Sequence, residues 1–395
     1  MATCSLVLAA MAFWADGPIA DSHRVLIFDS ARPPNFRSIL KVMEVETGKV
    51  LAQVETGFRP DVTVSPDGRV VAALASYEDF NQLEFYQATD LKKIESGQLP
   101  IPGRLLYGAV PKTPLIQMSP SATEIIVQLP AGFLNDEKPI QKTVDQTILR
   151  CMHRELDASG AFRPSRREAL IPCSRGLVFL RVTDWPRIQV WNGHLGAVEA
   201  VDLSLGQIMH RVAVGDDAEL AGRALTELEK PNIGDLYFKL NALRGNVISG
   251  GDRHAYYVPW KPGTLKRIDL ASDPPRVVVQ GTKQYEDLKS DIAVASERAE
   301  AVFVAVKGKQ RGASLERSQR VRVFHPSELS QTAEFEVPLD GFDRLETSRD
   351  GKYLYALDWK KGRVAVINAK TYQHVKTLDQ VGTFPEMIMA LPEAQ

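Results

Sequence analysis

The chain has 395 residues, of which 44% are hydrophobic and 25% are charged, and its formal net charge is -1. This composition is typical of a folded globular protein and excludes a disordered chain, and the length suits two ordinary domains or one large all-β domain. A net charge near zero argues against a protein that binds along nucleic-acid phosphates, so we expect no nucleic-acid partner.

Residues 1–22 have the pattern of an export segment. The apolar run CSLVLAAMAFW at 4–14 is too short to span a bilayer, and small residues follow it. No Lys or Arg precedes the run, although an export signal normally carries one. We predict a signal segment at 1–22, export of the chain, and one folded domain at 23–395. No other apolar run approaches the roughly 20 residues of a transmembrane helix, so we expect no membrane span.

The clearest structural unit begins at residues 56–74, TGFRPDVTVSPDGRVVAAL. Two apolar runs flank the turn Ser-Pro-Asp-Gly at 65–68, in which Pro66 sets φ and Gly68 accepts a positive φ. This pattern predicts a β-hairpin. A second copy stands at 343–357, DRLETSRDGKYLYAL, and each copy continues with two more short strands. The unit is therefore predicted to be a four-stranded sheet.

Weaker copies begin near residues 115, 176, 246 and 291, so the turns recur at roughly 50-residue intervals, the spacing of β-propeller blades. Apolar runs at 24–28, 39–44 and 50–54 lack a first strand, whereas the run at 385–391 has no strands after it. Together these four complete one blade and remove the exposed edges. The sequence predicts an all-β, seven-bladed β-propeller closed by a blade shared between the N- and C-termini.

Three segments interrupt the repeat. Residues 138–162 are polar and predict a long loop or an extended hairpin. Residues 216–230, DDAELAGRALTELEK, have helical spacing and an acidic start, which predicts a short surface helix. Residues 307–318, KGKQRGASLERS, form a basic segment that we interpret as a solvated connection or a contact with a partner.

The residues that usually carry chemistry show no recognisable catalytic pattern. The three cysteines, Cys4, Cys151 and Cys173, contain no Cys-x-x-Cys pair. A Cys151–Cys173 disulfide and two isolated thiols both remain open. The seven histidines have no ligand spacing, and the chain has no Gly-x-Ser-x-Gly elbow or P-loop. We therefore predict no catalytic residue and no metal ligand on this chain.

Acidic residues stand at the beginning of several predicted inner strands, where propellers commonly bind ligands. If the blades superpose, these carboxylates ring one mouth of the central channel and favour a cation or an amine. The alternative is that each acid simply caps a turn. A metal held there would need several convergent oxygen ligands. A lactonase-like hydrolase with a metal in the channel is the least favoured function, because no His or Asn recognisably joins these acids. The residues are Asp61, Asp291, Asp343 and Glu386.

Several segments near the two ends of the chain stand in a distinctive order: HRVLI at 23–27, ETGKV at 46–50, TGFRP at 56–60, SPDG at 65–68 and DQVGTFPE at 379–386. This order resembles the heavy chain of methylamine and aromatic amine dehydrogenases. The resemblance spans almost the whole chain and is thinner in the middle. Ser-Pro-Asp-Gly turns occur in many propeller families, so the Gly-Phe-x-Pro segment carries more weight.

The resemblance implies a function that depends on a second chain. In that family the heavy chain is a periplasmic seven-bladed propeller that docks a small, disulfide-rich light chain. The light chain carries the tryptophan tryptophylquinone that oxidises the amine, and electrons leave to a small copper protein or a cytochrome. The Phe of the Gly-Phe-x-Pro loop lies beside the substrate channel, and Phe58 is the matching position. The resemblance thus implies that Phe58 shapes amine access and that this chain holds no cofactor.

The chain departs from the family pattern at two places. It has a shorter N-terminal arm, and Trp-Asn-Gly at 191–193 stands near where the second of the family's paired cysteines would fall, although Cys173 fits the first. The alternative function, from a different class, is a stand-alone propeller that binds a ligand or a protein at its channel mouth.

Overall fold

The computed structural model describes residues 23–30, 37–77, 80–99, 116–130, 146–158, 160–172, 177–193, 195–215, 245–260, 262–308, 310–311, 314–315 and 317–391. The predicted export segment, the predicted helix at 216–230 and Cys173 lie outside these residues. Within them the secondary structure consists of strands, and no helix long and apolar enough to cross a membrane occurs.

The described residues form thirty strands. In chain order they are β1 (Arg24–Asp29), β2 (Ser38–Glu44), β3 (Val50–Thr56), β4 (Phe58–Val64), β5 (Val70–Ser76), β6 (Asn81–Gln87), β7 (Lys93–Gln98), β8 (Ile116–Met118), β9 (Glu124–Pro130), β10 (Gln146–Leu156), β11 (Phe162–Pro172), β12 (Val178–Arg181), β13 (Arg187–Asn192), β14 (Ala197–Asp202), β15 (Gln207–Ala213), β16 (Gly245–Ser249), β17 (His254–Pro259), β18 (Gly263–Asp269), β19 (Arg276–Tyr285), β20 (Leu288–Ser296), β21 (Ala301–Val306), β22 (Gln310–Arg311), β23 (Ser314–Leu315), β24 (Arg320–Phe324), β25 (Gln331–Glu336), β26 (Arg344–Thr347), β27 (Tyr353–Asp358), β28 (Arg363–Asn368), β29 (His374–Leu378) and β30 (Pro385–Leu391).

These strands form seven four-stranded antiparallel sheets, which are the blades of a β-propeller. Blade 1 is β4 to β7, blade 2 is β8 to β11, blade 3 is β12 to β15 and blade 4 is β16 to β19. Blade 5 is β20, β21, β24 and β25, with the small hairpin β22–β23 inserted; blade 6 is β26 to β29. Blade 7 joins β30 to β1, β2 and β3. The predicted all-β, seven-bladed architecture is therefore confirmed.

The predicted closure is also confirmed, because β30 pairs antiparallel with β1. The register runs from Arg24 opposite Leu391 to Phe28 opposite Met387, and it shifts before Asp29 pairs with Pro385. One end of the chain thus supplies the inner strand of blade 7 and the other end supplies its remaining strands. This pairing leaves no open gap in the ring of blades.

A buried histidine joins blade 7 to blade 6 beside this closure. His23 is 5% exposed; its Nδ1 lies 2.6 Å from Glu46 Oε1 and its Nε2 lies 3.0 Å from Asp350 Oδ2. We call His23, Glu46 and Asp350 the closure clasp. Burial opposes protonation of the imidazole, but the hydrogen bonds to Asp350 and Glu46 outweigh it and raise the pKa of His23. The two carboxylates of the clasp therefore favour the protonated, positively charged form of His23.

The repeated turns owe their shape to side chains at fixed positions. In blade 1 the Ser65 hydroxyl accepts the Val70 N–H at 2.9 Å and donates to Asp67 Oδ1 at 2.5 Å, and Gly68 has φ of 72°. Blade 6 repeats these bonds with Ser348 and Asp350. Because the serine and aspartate satisfy backbone and side-chain groups within the turn, the same reversal recurs from blade to blade.

The first strand of each blade lies innermost, and the inner strands of most neighbouring blades contact one another around the channel. Every inner strand has the same place in its blade, so all of them run in one direction. We call the mouth where they begin the front mouth and the mouth where they end the rear mouth. The core lies between the faces of neighbouring blades; between blades 1 and 2 it contains Leu74, Phe85, Met118, Ile125 and Phe162.

Two of the interrupting segments are partly described. β10 and β11 each have eleven residues and continue beyond β9, so the described part of 138–162 belongs to an extended hairpin. Its tip packs on blade 1, where the rings of Phe162 and Phe85 lie 5.6 Å apart. The basic segment 307–318 contains the hairpin β22–β23 and ends near Arg317, which is anchored to blade 6 as described below.

Candidate functional site

The five residues that the sequence nominated lie on four consecutive blades. Phe58 and Asp61 belong to β4, Asp291 to β20 and Glu386 to β30, and Asp343 directly precedes β26. The corresponding blades 5, 6, 7 and 1 are neighbours in the ring. The nominated side chains therefore occupy the inner strands of one half of the ring rather than the whole of it.

Phe58 stands at the beginning of β4, in a segment that is held from both sides. A Cβ added at Gly57 would meet the Ser76 carbonyl oxygen at 2.6 Å, so only glycine fits this close approach. Phe58 pairs with Ser76, and the register shifts before Asp61 pairs with Leu74. Such a β-bulge bends the strand and redirects its side chains. Phe58 is left half-buried at the front mouth.

A buried carboxylate fixes the residue before this glycine. Glu84 is 1% exposed and accepts hydrogen bonds from Thr56 Oγ1 at 2.5 Å, Tyr77 OH at 3.0 Å and Tyr86 OH at 2.9 Å. Lys93 Nζ donates a fourth bond at 2.9 Å. Burial, and then the charge of Glu84, raise the pKa of both tyrosines, so their hydroxyls remain protonated donors. We call these five residues the Glu84 network.

Asp61 connects two blades. Its Oδ2 accepts the Ile116 N–H at 2.9 Å, which joins the inner strands of blades 1 and 2. The equivalent position in blade 6 is Arg344, since both residues lie four positions before the serine of their turns, and Arg344 Nε donates to the Glu386 carbonyl at 3.3 Å. These contacts tether neighbouring inner strands beside the channel. The Asp61 carboxylate therefore has a structural role whatever it binds.

The charge of Asp343 is balanced within the protein. Arg317, which follows the inserted hairpin of blade 5, forms a two-pronged ion pair with Asp343 and also lies 2.8 Å from the fully buried Asp358. Two nearby oppositely charged groups reduce the field that either one projects. Asp343 thus contributes less to attraction of a cation at the front mouth than its place in the sequence suggested.

The carboxylates do not form a uniform ring. Asp61 lies four residues before Ser65, whereas Asp343 lies five residues before Ser348. Because successive strand residues point to opposite faces, the two side chains face different neighbours. Asp291 lies where the register of β20 is irregular, between Lys289 and Ala293. In the described part of the chain, no three His, Cys, Asp or Glu residues are placed to hold one metal ion.

One acidic residue of an inner strand was missed from the sequence. Glu346 lies in β26 directly opposite Tyr355, two residues before Ser348. Burial raises its pKa to about 7, although a hydrogen bond with the Thr347 backbone and the charge of Arg349 oppose this shift. An alignment of the blades on the serines of their turns would have placed Glu346 on an inner strand, because Thr63 of blade 1 lies at the same distance before its turn serine.

The rear mouth is crossed by an arginine. Arg349, in the turn after β26, donates from Nη1 to the Pro66 carbonyl in the turn of blade 1, at 3.2 Å. Blade 7 lies between these two blades, so the side chain reaches past its inner strand. Burial lowers the pKa of Arg349. This hydrogen bond thus links the turns of two blades that are not neighbours in the ring.

Cys151 is a free, fully buried thiol in β10. Burial, and then the charge of Glu124, raise its pKa to about 12. Reactive cysteines have depressed pKa values and contact solvent, so Cys151 has the properties of a core residue.

Comparisons with known proteins identify the fold. No protein-family model matches the chain, and no curated protein matches it. Similar solved structures include a protein of unknown function from Desulfotomaculum acetoxidans (10% identity, TM-score 0.56), apo AztD from Citrobacter koseri (13%, 0.52) and a candidate 6-phosphogluconolactonase from Bacteroides uniformis (11%, 0.58). The likeness covers 94% of this chain in each case, and 99%, 99% and 100% of those chains respectively. At this identity the similarity extends to the β-propeller fold alone.

Proposed function

We propose that this chain is a heavy-chain-like subunit of a periplasmic quinoprotein amine dehydrogenase. In this role the propeller is not catalytic alone; it scaffolds a small disulfide-rich light chain that carries tryptophan tryptophylquinone. The amine reaches the quinone past Phe58, and electrons pass from the light chain to a copper protein or a cytochrome.

The construction of the segment around Phe58 supports this proposal most directly. The Glu84 network holds Thr56, the close packing of Gly57 leaves no room for another residue, and Asp61 is tied to the next blade. Because the backbone around Phe58 is held in this way, its phenyl ring keeps its position when a ligand enters the channel. The ring can therefore select amines by their size and shape. Asp61, Asp291 and Glu386 on neighbouring inner strands add a bias toward ammonium groups, to which Asp343 adds less because Arg317 balances its charge.

The test begins with the protein purified from its own cells under mild conditions. We expect a small co-purifying chain with quinone absorbance, and amine-dependent reduction of a dye. Phe58→Ala should change the ratio of KM for bulky amines to KM for small amines by roughly tenfold, while the light chain remains bound. Leu205→Ala is the matched control, since this exposed apolar side chain lies between β14 and β15 at the rear of the molecule. A monomer without quinone or amine-dependent activity would overturn the proposal.

A second candidate is a stand-alone propeller that binds a ligand through its channel. Glu346 favours it, because this carboxyl has a pKa of about 7 and forms no ion pair within the described part of the chain. A ligand ammonium would supply the missing charge partner. Binding of simple alkylamines to the isolated chain, lost in Glu346→Gln and retained in Glu386→Gln, would support this candidate. Equal binding by both variants would count against it.

A further inference from the structure

Three turns meet at the rear mouth, where the inner strands of blades 5, 6 and 1 end. A Cβ added at Gly351, in the turn of blade 6, would meet the carbonyl carbon of Arg298 at 2.6 Å, so the turns of blades 5 and 6 are in direct contact. The hydrogen bond from Arg349 to the Pro66 carbonyl ties the turn of blade 6 to that of blade 1. The side chains of Arg298 and Arg349 therefore begin from fixed positions on adjacent turns.

These two arginines carry like charges that act on each other. The charge of Arg298 contributes to the lowered pKa of Arg349, in addition to burial. In the described part of the chain neither guanidinium forms an ion pair, and Arg349 makes its side-chain hydrogen bond to an uncharged carbonyl. Arg298 is exposed and Arg349 is half-buried, so a ligand can reach both of them. Two like charges held close together repel, and an anion between them would remove this repulsion.

The acidic residues of the three turns are engaged elsewhere. Glu297 Oε1 lies 3.1 Å from His254 Nδ1 of blade 4, and Asp350 belongs to the closure clasp with His23. Asp67 accepts hydrogen bonds within its own turn.

One further acid lies nearby, inside the channel. The charge of Glu346, three residues before Arg349, favours the Arg349 cation, and so does that of Asp67. The pKa of Glu346 is about 7, so this carboxyl is only partly ionised near neutral pH. The two guanidiniums therefore leave an excess of positive charge at this part of the rear mouth.

We propose that the rear mouth binds a phosphate group between Arg298 and Arg349, either as free phosphate or as the end of a small phosphate monoester. Guanidinium groups donate charge-assisted hydrogen bonds to phosphate oxygens. A carboxylate presents two oxygens in one plane, whereas a tetrahedral anion also presents oxygens to a second guanidinium that approaches from another direction. The site lies at the opposite end of the channel from Phe58, and the proposal does not depend on the amine dehydrogenase function.

The test titrates the full chain with inorganic phosphate, methyl phosphate and acetate, by calorimetry at about pH 7 and constant ionic strength. We expect phosphate to bind with Kd of about 1 mM or tighter, and acetate at least about tenfold more weakly. Methyl phosphate distinguishes the two sources: binding at least as tight as that of phosphate supports a monoester as the ligand, and weaker binding supports free phosphate. Equal binding of acetate and phosphate, or no saturable phosphate binding below about 10 mM, would overturn the proposal.

Variants locate the site. Arg298→Gln removes one guanidinium at an exposed position and should weaken phosphate binding by about tenfold. Arg298→Glu places a carboxylate beside Arg349 and should abolish the binding, because the new charge neutralises that guanidinium and repels the anion. Arg166→Gln is the matched control, since this exposed arginine lies on β11 of blade 2, away from blades 5 and 6. Undiminished binding in Arg298→Glu, or an equal loss in Arg166→Gln, would overturn the proposal.

Discussion

Replacing Glu84 with leucine tests whether the Glu84 network holds the segment that leads to Phe58. The substitution leaves the hydroxyls of Thr56 and Tyr86 buried without an acceptor, whereas the Lys93 side chain, 44% exposed, can return to water. An unsatisfied buried donor costs roughly 1–3 kcal/mol, and removal of one partner of a buried ionic network costs about 3–5 kcal/mol. We therefore expect Glu84→Leu to lower the free energy of unfolding by about 3–5 kcal/mol.

The assay is urea unfolding followed by tryptophan fluorescence, together with hydrogen exchange of the backbone amides at residues 56–58. Glu95→Leu on the neighbouring strand β7 is the control; its carboxylate is 26% exposed and lies 3.6 Å from Arg154. The control should change stability by no more than about 0.5–1 kcal/mol. If Glu84→Leu matches the control, or if exchange at residues 56–58 is unchanged, the network does not position this segment.

Three further predictions concern the closure clasp, the close packing of Gly57 and the burial of Cys151. The pKa of His23 is raised in the folded protein, so the clasp contributes its full stability below about pH 6.5 and loses it as the pH rises through the folded-state pKa. His23→Gln should therefore lower the free energy of unfolding by about 1–2 kcal/mol near pH 5.5 and by clearly less near pH 8.5. Denaturation at each pH measures the difference. Gly57→Ala should lower the free energy of unfolding, measured in urea, by about 1–3 kcal/mol. Gly281→Ala is the control and should lower it by less, because its added Cβ would meet its nearest neighbour at 3.4 Å. Equal losses would contradict the close-packing argument. Cys151 should react with a thiol reagent at about pH 8 only as fast as the protein unfolds, and rapid labelling of Cys151 itself in the native state, located by peptide mapping, would contradict its burial.

The fold could be predicted from the sequence because each blade repeats its own local chemistry. Ser65 and Asp67 in one turn, and Ser348 and Asp350 in another, satisfy the backbone inside the turn itself. A local bond of this kind is visible as a motif, since it depends on residues only a few positions apart. The shared blade was predictable for a related reason: unmatched strands at the two ends must pair.

The candidate site was less predictable because its partners come from different blades. Asp343 has the same residue type and nearly the same place as Asp61, yet one pairs with Arg317 and the other accepts a backbone N–H. A shift of one residue relative to the turn places a side chain on the opposite face of its sheet, and a β-bulge changes that face again. These outcomes depend on how neighbouring sheets pack, and periodicity in a single sequence does not contain that information.

The pairing of β30 with β1 has a consequence for how the chain folds. Until residues 385–391 join the sheet, β1 has an unpaired edge, and Val25 and Ile27, which are fully buried in the finished protein, lack part of their cover. This ladder joins residues more than 350 positions apart, the kind of long-range contact that folds slowly. During this interval the incompletely folded chain presents a strand edge that other chains can pair with. A chain that lacks β30 should therefore aggregate more readily than the complete propeller.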